Sequence, residues 1–294
     1  MIIKSIFLLL FVSVVVFANE LETYKFGDVK NDDEQKAIKG WLDGSFGVKP
    51  YKVNYILPYA AREGDYKSYV LTDKYKNVEA ELQVSLMLNV GSNLFGLDEN
   101  YYVSYTHQAF WQLYAESSPF RETTYNPELF VIFPIIDDNS MFHMRSLKVA
   151  YAHRSNGQGS TTDVNIPDDC YNPGNRSRSV NYFYSTLRLQ HKTLITDISA
   201  WVPIFSSLDD NPDLMDYTGY TSLKFHYFID KHMLTLMGRA NITNGCGAVE
   251  ATYSYPLRNS GAYLYAKIFS GYTESLIDYN NYITKFSIGF SFSR

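Results

Sequence analysis

The sequence is poor in cysteine, in long apolar runs and in clustered positive charge. Two cysteines in 294 residues are too few for a disulfide scaffold, and their spacing does not match that of zinc ligands. Beyond residue 18, no stretch approaches the roughly 20 apolar residues that a transmembrane helix needs. The 26 basic side chains stand against 31 acidic ones, and the absence of a basic block argues against nucleic acid as a partner.

The one concentrated apolar run stands at the start of the chain. Lys4 precedes it, the run extends from Ile6 to Phe17, and Val16-Phe17-Ala18 places small residues at the expected cleavage positions. This arrangement predicts a secretory signal peptide over residues 1–18, which is too short to span a membrane; a retained signal anchor is the alternative. The polar and acidic residues 19–50 are predicted to form an N-terminal extension ahead of the main domain.

From about residue 51 to the C-terminus, apolar and polar side chains alternate with a period of two. In residues 79–90 the even positions are apolar from Ala80 to Val90, whereas most odd positions hold Glu, Gln, Ser or Asn. Residues 101–113 and 282–292 repeat the pattern with many aromatic side chains. Such alternation predicts β-strands with one apolar and one polar face.

About twelve segments share this alternation, and their lengths lie near the ~9–11 residues with which a tilted strand crosses a bilayer. Residues 51–294 are therefore predicted to form one all-β domain, a twelve-stranded antiparallel transmembrane β-barrel. A soluble β-sandwich is the alternative, but it gives no reason for so many aromatic residues at strand ends. The predicted strands are residues 51–59, 78–90, 101–113, 127–136, 144–155, 179–190, 193–203, 216–228, 232–242, 248–257, 261–271 and 282–293.

Polar side chains interrupt the apolar face at the end of segment 144–155. The apolar positions up to Tyr151 are followed in the same phase by His153 and Ser155, next to the longest loop. Residues two apart in a strand share a face, so these two side chains belong to one site. On the next predicted strand Asn181 is also in phase with apolar residues, and a hairpin of the two strands would bring it close to His153.

Serine, histidine and asparagine together form a recurring arrangement for acyl transfer. The histidine deprotonates the serine hydroxyl, and the asparagine orients the imidazole. Outside a barrel and near the bilayer interface, such a set could meet an acyl ester only of a lipid. The alternative is that these are ordinary polar residues at the end of a strand, where polar groups are common.

Five ordered motifs are spread over the predicted barrel: residues 117–123 (SSPFRET), 151–157 (YAHRSNG), 177–181 (SRSVN), 209–213 (DDNPD) and 272–280 (YTESLIDYN). Together they resemble the bacterial outer membrane phospholipase A family. The resemblance implies a twelve-stranded outer-membrane barrel, calcium-dependent hydrolysis of phospholipid acyl esters at either glycerol position (A1/A2), and activation by homodimerisation. It also implies an active site near the outer leaflet and a periplasmic N-terminal extension.

The resemblance assigns roles to individual residues. In the catalytic set, His153 matches the base, Ser155 the nucleophile and Asn181 the residue that orients the base. Calcium is a hard cation that takes oxygens from hydroxyls, carbonyls and carboxylates. The residues that match calcium ligands are Ser177 and a backbone carbonyl near Gln158 for the catalytic ion, Ser117 donated by the second subunit, and Asp210 at a further calcium site.

Two features depart from the family pattern. The loop 157–178 is longer here, which affects where Gln158 lies. His107 stands where the family has glutamine, so a dimer contact at this position would differ. The long loop also contains Cys170, and the sequence leaves open whether it forms a disulfide with Cys246.

Two other functions fit an outer-membrane barrel. A passive pore or structural barrel would use its inward polar side chains to line water, whereas in a small barrel such side chains would pair and fill the lumen. A lipopolysaccharide deacylase can use the same outward serine and histidine chemistry. The strand count and the calcium-ligand motifs favour phospholipids.

We expect export to remove residues 1–18 and to leave Asn19 as the new N-terminus. The reason is that Val16-Phe17-Ala18 is the only small-residue site after the apolar run. The intact mass of protein extracted from membranes measures the outcome. A mass that still includes the first 18 residues would contradict this prediction and favour a signal anchor.

Overall fold

The structure is a computed structural model that describes residues 47–64, 66, 74–135, 142–159, 176–258 and 260–294. The predicted signal peptide, nearly all of the N-terminal extension and Cys170 lie outside these residues. The chain divides into two units, Met1–Val48 and Lys49–Arg294. The second unit carries nearly all of the described secondary structure.

Thirteen strands among the described residues belong to one sheet. They are β1 (Val48–Pro50), β2 (Tyr55–Arg62), β3 (Val78–Ser92), β4 (Asn100–Trp111), β5 (Phe120–Pro134), β6 (His143–Ser155), β7 (Ser179–His191), β8 (Leu194–Pro203), β9 (Thr221–Ile229), β10 (His232–Asn241), β11 (Cys246–Pro256), β12 (Tyr263–Gly271) and β13 (Ile283–Ser291). A 3₁₀ helix (Phe205–Ser207) and a short α-helix, α1 (Leu214–Thr218), lie between β8 and β9. Within the described ranges, no helix is long and apolar enough to span a membrane.

Strands β2 to β13 close into an antiparallel barrel. Each strand pairs with its neighbours in sequence, and β2 also pairs with β13, so every one of the twelve has a partner on both sides. The short β1 is an additional neighbour of β3. The predicted twelve-stranded barrel is therefore confirmed, and closure satisfies the backbone polar groups of the wall as a membrane requires.

Two of the predicted strands begin at other residues, and a third departure, in residues 51–54, is described below. The predicted strand 127–136 is β5 and begins earlier, at Phe120, because the charged residues Arg121 and Glu122 are strand residues buried in the lumen rather than loop residues. The predicted strand 216–228 starts instead as α1. Gly219 follows α1 with a φ of +72°, and a Cβ there would lie 2.3 Å from the backbone oxygen of Ala240, so the chain needs glycine at this turn.

Side chains alternate between the outside of the barrel and its lumen. On β3, Val84 and Leu86 are 52% and 40% exposed, whereas Glu81 and Ser85 in the opposite phase are completely buried. The exposed apolar side chains fit contact with lipid, and the polar ones fill the interior of a small barrel. The alternation inferred from the sequence thus corresponds to two different environments.

Ion pairs around Arg121 fill the lumen at one end of the barrel. The guanidinium donates two hydrogen bonds to Glu79, of 2.9 and 3.0 Å, and one of 2.7 Å to Asp278. The rings of Tyr66 and Phe110 lie 4.1 and 4.9 Å from its central carbon. Arg121 is therefore held by paired charges and by aromatic faces in a site closed to solvent.

Two lysines extend this network across the seam of the barrel, which is the place where β2 pairs with β13. Lys285 on β13 lies 2.7 Å from Glu81 and 2.6 Å from Glu274. Lys267 on β12 forms ion pairs with the same two glutamates. Because a buried charge is costly unless it is paired, the network links β3, β12, β13 and the loop 272–282 into one unit.

Residues 51–54 run through the lumen instead of belonging to the wall, which differs from the predicted strand 51–59. The hydroxyl of Tyr51 donates to Glu128 over 3.0 Å, and Lys52 Nζ lies 2.5 Å from the same carboxylate. The side-chain amide of Asn54 donates to the backbone oxygen of Ser85 over 3.2 Å. The segment immediately before β2 therefore packs against the inner face of the barrel.

We expect Arg121→Met to lower the free energy of unfolding of the barrel by about 3–5 kcal/mol, because it takes the bidentate partner from the buried carboxylate of Glu79. Urea titration in detergent micelles, followed by tryptophan fluorescence, measures the change. Arg188→Met is the matched control, since the Arg188 side chain in its pair with Asp197 is 49% exposed and its loss should cost less than about 1 kcal/mol. Equal losses in the two variants would contradict the importance of the buried network.

Candidate active site

His153 and Asn181 face each other across the pairing of β6 with β7. They are Cα partners in the strand register. The backbone N–H of Asn181 donates to Ser207 Oγ and its carbonyl accepts from the N–H of Ile204, so its polar backbone points towards β8. The pair is thus of the non-hydrogen-bonded kind, in which the side chains lie closer together.

The two side chains form a hydrogen bond of 2.7 Å between His153 Nδ1 and Asn181 Oδ1. An amide oxygen only accepts, so the proton of this bond belongs to Nδ1 and the neutral ring keeps a free lone pair on Nε2. The hydroxyl of Tyr151 donates to the same oxygen over 3.3 Å. The imidazole is therefore held in the tautomer that can accept a proton at Nε2.

Ser155 lies two residues beyond His153 on the same outward face, at the last position of β6. It is half-buried and stands opposite Tyr125 on β5 and Ser179 on β7. Among the described residues, Ser155 forms no hydrogen bond with His153 in this structure. Catalytic hydrogen bonds are often long before substrate binds. The placement of His153 and Ser155 on one face of β6 is therefore the observation that supports a common site.

Asn156 closes the neck of the long loop between β6 and β7. Its Nδ2 donates to the backbone oxygen of Arg176 over 2.8 Å, and its Oδ1 accepts from the N–H groups of Arg178 and Gln158 over 3.0 and 3.2 Å. The side chain is 1% exposed. The side chain of Asn156 therefore joins the two described ends of the loop between β6 and β7. The sequence motif around His153 did not reveal this role.

Two of the predicted calcium ligands meet at this neck. Ser177 Oγ donates to Asp210 Oδ2 over 2.6 Å, and the adjacent Asn211 accepts from the backbone N–H of Ser179 over 2.9 Å. Gln158 is brought to the same neck by Asn156. The hydroxyl of Ser177 and the carboxylate of Asp210 are oxygen donors of the types that calcium takes.

In the described part of the chain, including the loop neck, no three His, Cys, Asp or Glu side chains come together as a metal site. Asp210 at the loop neck is therefore not part of a cluster of three such side chains.

The loop after β8 is anchored beside the neck by Tyr279. The hydroxyl of Tyr279 donates to Asp213, and its ring packs in an apolar cluster with Val180 and Leu214. Burial, and then the hydrogen bond to the Asp213 carboxylate, raise the pKa of Tyr279 above its ordinary value. The phenol therefore stays a neutral donor and keeps the segment with Asp210 against β7.

Ser117 lies in the loop between β4 and β5, at the same end of the barrel as Ser155. It is exposed, with a φ of +57°, and among the described residues it shares no hydrogen bond with Ser177 or Asp210. The structure therefore does not bring Ser117 to the loop neck of its own chain.

The outer wall beside Ser155 carries an aromatic surface that includes His107. The ring centroids of His107 and Tyr125 are 5.2 Å apart. Tyr125 also covers Gly157, whose φ is +61° and where a Cβ would come within 2.7 Å of the tyrosine ring. Glycine is thus required where the chain leaves β6, and the surface next to the serine is aromatic.

Fold and site together define a transmembrane β-barrel of the outer-membrane type with a hydrolase-like set of polar side chains on its outer wall. The family model for Phospholipase A1 matches residues 32–292. Phospholipase A1 from Salmonella typhimurium and that from Escherichia coli K12 are each 32% identical over 274 residues, which cover 89% of this chain and 89% of each relative. The chain belongs to the phospholipase A1 family.

Solved structures agree with this membership. The outer membrane phospholipase dimer of Salmonella typhi, with bound calcium, superposes with a TM-score of 0.74 at 32% identity and covers 84% of this chain and 92% of the other. The outer membrane phospholipase A of Escherichia coli gives the same TM-score at 31% identity, covering 85% and 93%. The predictions of an outer-membrane barrel and of an ester-hydrolysing enzyme are confirmed.

Proposed function

We propose that this chain is a calcium-dependent phospholipase that hydrolyses acyl esters of phospholipids and lysophospholipids at both glycerol positions, and that it is active as a homodimer. Ser155 is the nucleophile, His153 the base and Asn181 the residue that orients the base. The observation that carries the proposal is the 2.7 Å bond from His153 to Asn181 on the lipid-facing wall, in phase with Ser155. The calcium-bound dimer among its relatives supports the cofactor and the assembly.

The geometry accounts for acyl transfer through this chain's own groups. His153 Nε2 takes the proton from Ser155 Oγ as that oxygen attacks the ester carbonyl, and Nδ1 stays bonded to Asn181. The same imidazolium then protonates the leaving glycerol oxygen. In the second half, His153 removes a proton from water, which attacks the acyl-serine and releases the fatty acid.

Ser177 and carbonyls at the loop neck, near Gln158, would hold the catalytic calcium ion, and Asp210 a further one. Bound calcium supplies positive charge that stabilises the oxyanion of the tetrahedral intermediate. The neck is fixed to the end of β6 through Asn156, so these oxygens are held beside the strand that carries Ser155.

Dimerisation would supply two features that a single barrel wall lacks. An outward serine has neither an acyl-chain pocket nor a second side to its ion site when only lipid faces it. A second copy pressed against the aromatic surface around Tyr125 would supply both, and its exposed Ser117 would reach towards the neck of the first. This accounts for a serine that makes no contact with the ion site of its own chain.

Family membership favours this function over the passive pore and over the lipopolysaccharide deacylase. The lumen also differs from that of a simple pore, because the Arg121 and Lys285 networks and residues 51–54 occupy it. Liposome conductance measured beside lipid hydrolysis distinguishes a pore from an enzyme. Release of fatty acid from lipopolysaccharide, compared with release from phospholipid, tests the deacylase.

We expect Ser155→Ala and His153→Ala each to abolish fatty-acid release, and Asn181→Ala to retain measurable activity, because losing the orienting residue only weakens the base. Fatty-acid release from phospholipid micelles in the presence of calcium measures this. Ser179→Ala is the matched control, since Ser179 stands directly opposite Ser155 and should be dispensable. Full activity in Ser155→Ala, or its loss in Ser179→Ala alone, would contradict the assignment of the nucleophile.

We expect Ser177→Ala and Ser117→Ala to raise the calcium concentration for half-maximal activity, because each removes an oxygen ligand while leaving the strand ladder intact. Ser92→Ala, an exposed hydroxyl at the opposite end of the barrel, is the control. Mixing Ser117→Ala subunits with Ser155→Ala subunits should restore the calcium response of the wild type, because the second subunit supplies Ser117 to an intact nucleophile. If mixing changes nothing, Ser117 does not act across the dimer.

A further inference from the structure

The ladder between β5 and β6 has a gap directly beside His153. Tyr125 pairs with Ser155 and Glu128 pairs with Ala152, but the two positions between them have no ladder partner in β6. Continuing the register places Pro127 opposite His153. Proline has no N–H, so the ladder bond that this position would donate to the carbonyl of His153 cannot form.

A side chain takes the place of the missing backbone donor. Asn126 points into the lumen, is 6% exposed, and its Nδ2 donates to the backbone oxygen of His153 over 2.8 Å. The carbonyl that proline leaves without a ladder donor is thereby satisfied, as a buried backbone oxygen requires. The bond comes from a residue on the opposite face of the wall from the substrate.

Asn126 is itself held by the lumenal segment that precedes β2. Lys52 Nζ donates to Asn126 Oδ1 over 3.0 Å and lies 2.5 Å from a carboxylate oxygen of Glu128. The amide of Asn126 is therefore fixed at both ends, with its oxygen on the lysine and its nitrogen on the carbonyl of His153. A continuous path of hydrogen bonds leads from the N-terminal segment to the catalytic strand.

The bond from Asn126 matters because the backbone N–H and carbonyl of His153 do not bond to β7. Its pairing with Asn181 is of the non-hydrogen-bonded kind, so the backbone of His153 is directed towards β5. There, Pro127 removes one of the two exchanged bonds. The position of the imidazole relative to Ser155 then depends on the donor that Asn126 provides.

We propose that Asn126 is a positioning residue for hydrolysis, replacing the ladder donor that Pro127 lacks and so fixing the backbone of His153, with Lys52 holding the amide in place. The proposal rests on the proposed role of His153 as the base. It assigns a function in the reaction to two lumenal residues that never meet the lipid.

The first test compares kcat and KM for phospholipid micelles at saturating calcium. Asn126→Ala should lower kcat roughly three- to tenfold, the effect of one lost hydrogen bond, and leave KM unchanged because the substrate approaches from outside. Gln108→Ala is the matched control: it removes another lumenal amide, which bonds the hydroxyl of Tyr55 over 3.2 Å, and should leave kcat unchanged. Wild-type kcat in folded Asn126→Ala would overturn the proposal.

The decisive variant restores the backbone donor. Pro127 is on the exposed outer face, and Pro127→Ala returns an N–H opposite the carbonyl of His153. The double variant Asn126→Ala/Pro127→Ala should therefore recover the kcat of Pro127→Ala alone. If Asn126 only packs the lumen, the backbone N–H would not compensate, and a double variant as slow as Asn126→Ala would refute the positioning role.

Two further measurements complete the test. Should Asn126→Ala fail to fold, as judged by heat-modifiable mobility on gels, Lys52→Met loosens the amide without removing it and should lower kcat in the same direction; an unchanged kcat would count against the proposal. Ser155→Ala in the same assay distinguishes failure of the proposed function from failure of the proposed role of Asn126. Activity in Ser155→Ala overturns the proposed function, whereas inactive Ser155→Ala with unaltered Asn126→Ala overturns only the role of Asn126.

Discussion

Closure of the sheet into a barrel imposes one constraint on the wall wherever the strand ladder is regular: a side chain faces either lipid or lumen, and its neighbour in sequence faces the other way. At the register shift opposite Phe110 and Trp111, the neighbours Arg121 and Glu122 are both buried in the lumen. The backbone ladder leaves no third direction. His153 and Ser155 lie on the lipid side because they are in phase with Tyr151, and the intervening Arg154 is directed to the lumen. Strand geometry alone therefore presents the proposed nucleophile and base to the bilayer, and the acyl-chain pocket is left for the second subunit of the proposed dimer to supply.

The same constraint explains what could be predicted from the sequence. Alternation is visible without a structure, so the strands, the barrel and the outward placement of His153 and Ser155 follow from counting positions. Asn181 could be placed beside His153 because a hairpin of adjacent strands has few registers that keep the apolar phase. The motifs then identified the family from residues that are close in sequence.

What could not be predicted depends on contacts between distant residues. Arg121 and Glu122 resemble loop residues until Glu79 and the loop 272–282 are known to surround them. Asn156 and Asn126 are ordinary amides in the sequence, and each acts through a backbone group at least 20 residues away. Ser207 comes from a loop with no periodic pattern, yet it fixes the backbone of Asn181. Such roles follow from tertiary geometry, which single-sequence patterns do not contain.

The seam between β2 and β13 has a consequence for assembly. Glu79 pairs with Arg121 on β5, but Glu81 forms its ion pairs with Lys285 on β13 and with Lys267, which is 186 residues away in sequence. The carboxylate of Glu81 therefore obtains its cations only when the final strands arrive. Pairings of such high sequence separation are slow to form because the intervening chain must first be ordered. The β6–β7 hairpin, by contrast, is local. The strands that carry His153 and Asn181 can therefore pair early, whereas the ion pairs of Glu81 form last, when the C-terminal strands close the barrel.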